Sequence, residues 1–178
     1  MTQFYLAYGA NLNRAEMAFR CPQAVPVESV ELEGWQLEFC SHATVQQHAH
    51  GRLQAGVWAI SDACESNLDR FEGWPVYYRK QVITVRDEPT MMYIMNHPLP
   101  QTPTAGYLKC LAQGYEDWGL DLDLLWQAYE RAEQQEYAMY DDDPQAHAAD
   151  FLDTGLDDLE SGHDVRRTRD VAYTYYGA

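Results

Sequence analysis

The sequence predicts an α+β domain, a single sheet of about five or six strands flanked by helices. Two patterns carry that prediction. Short apolar stretches alternate around Val, Ile, Trp and Tyr, as half-buried strands do, and longer stretches place apolar residues at helical spacing. At 178 residues, 46% hydrophobic and 13% aromatic, the chain suits one globular domain with a sizeable core and is too short for two roomy ones. Composition draws the boundary: residues 1–140 read as the domain and residues 141–178 as an acidic C-terminal extension.

The elements follow in chain order. Phe4 to Tyr8 is a short apolar strand that stops at Gly9, and Ala-Asn-Leu-Asn leads from it into a weak helix over Arg14 to Phe19. Trp35 to Cys40 and Leu53 to Ile60 are the next strands. Ser61 to Phe71 is a helix with Asp62 as its cap, Glu65 three residues on and an inward face of Leu68 and Phe71. It ends at Glu72-Gly73-Trp74-Pro75. Gln81 to Val85 and Met91 to Met95 are strands, and Pro98, Pro100 and Pro103 mark a surface loop. Helical spacing resumes over Ala105 to Tyr115 and, past Gly119, at Leu122, Leu125, Trp126 and Tyr129. Beyond Asp141 the chain is poor in apolar residues until Val171 to Tyr176. That final stretch has strand character, follows Arg166, Arg167 and Arg169, and is a candidate edge strand or homo-oligomer contact.

Charge narrows the function. Twelve Lys and Arg against 28 Asp and Glu leave −16, a field that repels phosphate backbones and anionic lipid surfaces. Nucleic acid and membrane are therefore not expected partners. No apolar run reaches the roughly 20 residues that span a bilayer. Cys21, Cys40, Cys64 and Cys110 lack C-x-x-C spacing and no signal peptide precedes them, which suggests a reducing, cytoplasmic setting.

Two motifs carry chemistry. Tyr8-Gly9-Ala10-Asn11-Leu12 sits where a strand gives way to a helix, and such a turn can point successive N–H groups at an anion. An ordinary turn needing a left-handed residue reads the same way. The second motif is Leu68-Asp69-Arg70-Phe71-Glu72-Gly73-Trp74-Pro75-Val76-Tyr77-Tyr78-Arg79. It places a carboxylate, Glu72, at the end of an apolar helix face, where Phe71, Trp74 and Pro75 would raise its pKa.

Together the motifs resemble those of the γ-glutamylcyclotransferase-like superfamily, in their order and at about their separation. The likeness extends through Leu32 to Trp35, Ala43-Thr44-Val45, Gly56-Val57-Trp58, Tyr93-Ile94-Met95 and Tyr107. The resemblance implies a small, mixed, barrel-like sheet flanked by helices. It implies an enzyme that converts a γ-glutamyl amine or γ-glutamyl amino acid to 5-oxoproline and the free amine. Glu72 would be the catalytic acid/base, and Tyr8, Gly9, Ala10, Asn11 and Leu12 the cradle for the substrate's carboxylate and carbonyl. Tyr78 and Tyr107 would be pocket-lining hydroxyls. Ala10 departs from the serine usual at its position, which removes a hydroxyl and leaves the backbone N–H. The alternative is a non-catalytic member of the fold that binds a small metabolite or a protein.

The chemistry needs little from the protein, because the substrate's α-amine is placed to close a five-membered lactam on the side-chain carbonyl. A base, oxyanion donors and a proton for the departing amine suffice, so no cofactor or metal is expected. The −16 charge favours a cationic leaving group, such as a polyamine, through steering. His42, His48 and His50 form no recognisable zinc pattern and read as a polar loop. Trp58, Trp74 and Tyr77 read as core aromatics.

Overall fold

A computed structural model describes residues 2–141. The acidic extension from residue 142, with the expected strand Val171 to Tyr176 and the arginines before it, lies outside the described residues. Five strands form one sheet: β1 (Thr2–Ala7), β2 (Val25–Cys40), β3 (His42–Ser61), β4 (Tyr78–Val85) and β5 (Glu88–Met95). Four helices accompany them: α1 (Arg14–Arg20), α2 (Asp62–Glu72), α3 (Ala105–Trp118) and α4 (Leu122–Asp141). A 3₁₀ turn over Ala10–Leu12 links β1 to α1. No described helix is long and apolar enough to cross a membrane.

The strand order is β2-β3-β1-β5-β4, with β1 and β5 parallel and the other neighbours antiparallel. The α+β class and mixed sheet are as the sequence predicts, but the sheet does not close into a barrel. The β2–β3 hairpin meets β5 and the following loop through isolated contacts rather than a ladder. Met95 N–H reaches Thr44 Oγ1 at 3.1 Å, and Cys40 bridges Gln101.

That hairpin is the largest departure from the sequence reading. Its arms run 16 and 20 residues, where alternation predicts only Trp35 to Cys40 and Leu53 to Ile60. Most of the additional residues in its arms are exposed, although Val30, Ala43, Thr44 and Val45 are buried, so backbone pairing holds strands whose amphipathic signal is short and interrupted. His42, His48 and His50 lie on β3, not in a loop. The cap of α2 also moves: Ser61 Oγ accepts from Cys64 N at 3.3 Å, and Asp62 is the first helical residue.

Leu6, Leu12, Met17, Phe39, Ile60, Leu68, Met92, Leu111 and Leu125 are fully buried between sheet and helices. Each contributes about 1.5–3 kcal/mol by leaving water. Helix α3 comes close to the Ala10–Leu12 turn because Gly114 lies between them. A Cβ there would stand 2.7 Å from Leu12 Cβ and 2.8 Å from Asn13 N. This contact sets the turn against the core.

Candidate active site

The turn after β1 is held from behind. Leu12 N–H reaches Gly9 O at 2.9 Å, Asn13 N–H reaches Ala10 O at 3.2 Å, and the Asn13 side chain caps α1 by accepting from Ala15 and Glu16. Two indoles fix its carbonyls: Trp58 Nε1 donates to Asn11 O at 3.1 Å, and Trp118 Nε1 to Leu12 O at 2.8 Å. Trp58 is thus core, as expected, and has a second task as an anchor of the turn. Gly9 is not left-handed, with φ −113°. Its need for glycine comes from close approach, since a Cβ would stand 3.1 Å from Ala43 Cβ and 3.3 Å from the Tyr107 hydroxyl.

Across from the turn, α2 ends at Gly73, in the left-handed conformation that closes a helix, so Glu72 is the last helical residue. Glu72 and the turn share a cavity of about 720 Å³, a size that suits a small molecule. Asn11 Nδ2 donates to Glu72 Oε1 at 2.9 Å. Burial pushes the Glu72 carboxyl up from 4.5 to about 7, while the Asn11 hydrogen bond and the nearby Arg20 charge hold it from rising further. At neutral pH it is poised between accepting and donating a proton.

Five tyrosines, Tyr5, Tyr8, Tyr78, Tyr93 and Tyr107, line the same cavity. Burial raises all five phenols, and the negative charge of Glu72 adds to the rise, so they stay protonated at physiological pH. Their protons are not equally placed. Tyr8 donates to the Tyr93 carbonyl, Tyr78 to the Ala43 carbonyl at 3.0 Å, and Tyr93 to Asp69 Oδ1 at 2.6 Å. By contrast, the Tyr5 oxygen accepts from Asn11 Nδ2 at 2.8 Å, and the Tyr107 oxygen accepts from Ala43 N at 3.1 Å. Each of these two acceptor hydroxyls carries a proton of its own to donate.

The residues singled out in the sequence are brought together with one exception. Tyr8, Gly9, Ala10, Asn11, Glu72, Tyr78 and Tyr107 all line the cavity, whereas Leu12 is fully buried in the core. Asn11 is 3% exposed and its side chain is already engaged: Nδ2 serves Tyr5 and Glu72, and Oδ1 accepts from Arg20. It faces Glu72 rather than offering free donors to a ligand. The neighbours expected to bury Glu72 also differ. Trp74 and Pro75 do not line the cavity, and Phe71 is half exposed at its edge. Tyr77, read as core, is 70% exposed at the rim, and Trp74 is exposed beside Lys80. The tyrosines take their place. Tyr5, Tyr93 and Arg20 were not read from sequence, since two look like strand core and the third like one more helix cation. An abundance of Tyr, 13 residues, points toward the two tyrosines, and Tyr93 also falls in the Tyr93-Ile94-Met95 stretch of the family likeness, whereas no sequence signal marks Arg20.

Residues 5–119 match the family model described as gamma-glutamyl cyclotransferase, AIG2-like. The chain belongs to this family. Solved structures similar to this member of the family include the Homo sapiens protein loc79017, with a TM-score of 0.63, 21% identity and coverage of 71% of this chain and 86% of that one. A gamma-glutamyl cyclotransferase matches with a TM-score of 0.62 at 17% identity, over 98% and 99% of the two chains. YkqA from Bacillus subtilis matches with a TM-score of 0.60 at 16% identity, over 75% and 55%. At these identities the likeness is one of fold. No curated protein sequence matches this family member.

Proposed function

We propose that the protein is a γ-glutamylcyclotransferase acting on a small γ-glutamyl substrate, with Glu72 as its single acid/base. The observation that carries this reading is Glu72 itself, a carboxyl held near pKa 7 in a tyrosine-lined cavity beside an anchored turn. Ionised Glu72 takes a proton from the substrate's α-ammonium. The freed amine attacks the γ-carbonyl carbon, forming the lactam C–N bond. Tyr107, with the neighbouring backbone of Gly9 and Ala10, steadies the developing oxyanion. The γ-amide C–N bond then breaks as Glu72 returns its proton to the leaving nitrogen. The second proton of the attacking ammonium passes from the ring nitrogen through the regenerated Glu72 carboxylate to the released amine, which departs as its ammonium. Products are 5-oxoproline and the free amine, an intramolecular acyl transfer that consumes no water, cofactor or metal.

The lining also bears on the leaving amine. Among the described residues around the cavity Glu72 is the one carboxylate, and Arg70, His42 and His97 line it as well. At short range this favours a neutral or carboxylate-bearing leaving group, opposite to the polyamine preference that net charge alone suggests. All four cysteines are free thiols, three of them buried, in keeping with a reducing, cytoplasmic setting.

The test is 5-oxoproline formation from a panel of γ-glutamyl amines and amino acids, followed by mass, for wild type and Glu72→Gln. Turnover should fall by about 10²- to 10⁴-fold in the variant, the range for removing a general base, with substrate still bound. Binding without turnover by wild type would instead indicate a metabolite-binding member of the family.

A further inference from the structure

We infer that Arg20 is a positioning residue for Glu72: by holding the Oδ1 of Asn11 it fixes the amide so that the Nδ2 group faces the carboxylate. The inference rests on the acid/base reading above. Arg20 NH1 donates to Asn11 Oδ1 at 2.6 Å, and Asn11 Nδ2 donates to Glu72 Oε1 at 2.9 Å. A guanidinium carries only donors, so the Asn11 atom that faces it has to be the oxygen. The amide has two faces and no charge to orient it, and Arg20 supplies the asymmetry.

The arginine is itself held on two sides. NH2 pairs with Glu16 Oε2 at 2.7 Å one turn earlier on α1, and the guanidinium carbon lies 3.6 Å from the centroid of the Phe71 ring, next to Glu72 in sequence. Only 12% of the Arg20 side chain is exposed. Other titratable groups that face Glu72 are Tyr5 from β1, Tyr8 from the turn, Tyr78 from β4, Tyr93 from β5 and Tyr107 from α3. All five are neutral phenols at working pH; Arg70, His42 and His97 also line the cavity, and Arg20 is the cation whose charge acts to lower the Glu72 carboxyl.

Losing Arg20 acts twice in one direction. Its positive charge no longer favours the ionised carboxylate, and the released Asn11 amide can turn its oxygen toward Glu72, which favours the protonated acid. Both effects raise the Glu72 pKa and shrink the fraction of base at neutral pH.

The experiment titrates the Glu72 carboxyl carbon by 13C NMR, assigned by its loss in Glu72→Gln, in wild type and in Arg20→Gln, Arg20→Met and Arg20→Lys. Kinetics are measured on the same proteins. For Arg20→Gln and Arg20→Met the midpoint should move upward by about one pH unit. The acid limb of the rate profile should move with it. At neutral pH, kcat should fall on the order of 10- to 100-fold with KM nearly unchanged, as for a displaced catalytic group. Arg20→Lys, which keeps charge and donors, should recover most of both. Arg52→Gln, which removes an arginine paired with Glu31 elsewhere on the protein, should leave both unchanged. Arg20→Met retains packing on Phe71 should Arg20→Gln fail to fold. A folded Arg20→Gln or Arg20→Met with the wild-type Glu72 midpoint overturns the inference, whatever happens to kcat. The titration reads the inference even if no γ-glutamyl substrate is turned over, so failure of the proposed reaction and failure of the Arg20 role remain distinct.

Discussion

Glu72 is destabilising where it is useful. Its folded pKa, about 7, lies above the ordinary 4.5, so between those values the folded protein holds a proton that the unfolded chain releases. Stability therefore falls as pH rises through that window and is fully retained below it. Glu72→Gln has no proton to lose. It should be more stable than wild type at pH 8 by about 1–3 kcal/mol, with the difference vanishing near pH 4.5. Thermal melts of both proteins at the two pH values check this. Asn11→Asp carries the same logic further: a second carboxylate beside Glu72 raises its pKa, and the acid limb of activity should shift alkaline by about one unit or more. At this scale the sequence was partly legible. That Glu72 would be buried and raised was readable from its place on α2, but its surroundings were not. Tyr5 and Tyr93, 88 positions apart, meet it only because β1 and β5 pair in parallel.

At the scale of elements, the site depends on how closely α3 meets the turn after β1. Replacing Gly with Ala inside a helix usually stabilises by up to about 1 kcal/mol. At Gly114 the added Cβ meets Leu12 Cβ at 2.7 Å and Asn13 N at 2.8 Å, and a backbone atom cannot move aside as a flexible side chain would. Overpacking of this kind costs about 1–3 kcal/mol, so the clash wins. Gly114→Ala should lower the melting temperature and also reduce kcat, since the displaced turn carries Gly9, Ala10 and Asn11. Most elements were legible where one face is dry, as in β1, β5 and α2. The full length of the β2–β3 hairpin was not, because residues 46–50 are exposed on both faces and residues 25–33 put only Val30 and Leu32 toward the core, so backbone pairing defines much of it. The expected barrel stays open because β3 touches β5 through side-chain and isolated contacts instead of a continuous ladder.

Across the whole molecule two electrostatic ranges oppose each other. The net −16 attracts cations from afar, whereas the cavity holds one carboxylate among Arg70, His42 and His97. Arg70, His42 and His97 are exposed and are screened too, but salt, which screens the long-range field beyond about 10 Å at 0.1 M, weakens least the direct contact of a seated ligand with a charge at the cavity. Preference for carboxylate-bearing over polyamine leaving groups should therefore increase as salt is raised, as measured by kcat/KM for the two substrate classes. A preference for polyamines that persists at high salt would place their recognition inside the cavity and contradict this reading of its lining. The central claim, that Glu72 is the acid/base of a γ-glutamyl cyclisation, is tested most directly by 5-oxoproline release across about pH 5 to 9 in wild type and Glu72→Gln. The account predicts a wild-type acid limb with a midpoint near 7, and a variant that binds substrate while forming 5-oxoproline at least about 10²-fold more slowly. Equal 5-oxoproline formation by the two proteins, or a wild-type rate that does not change through pH 7, would contradict it.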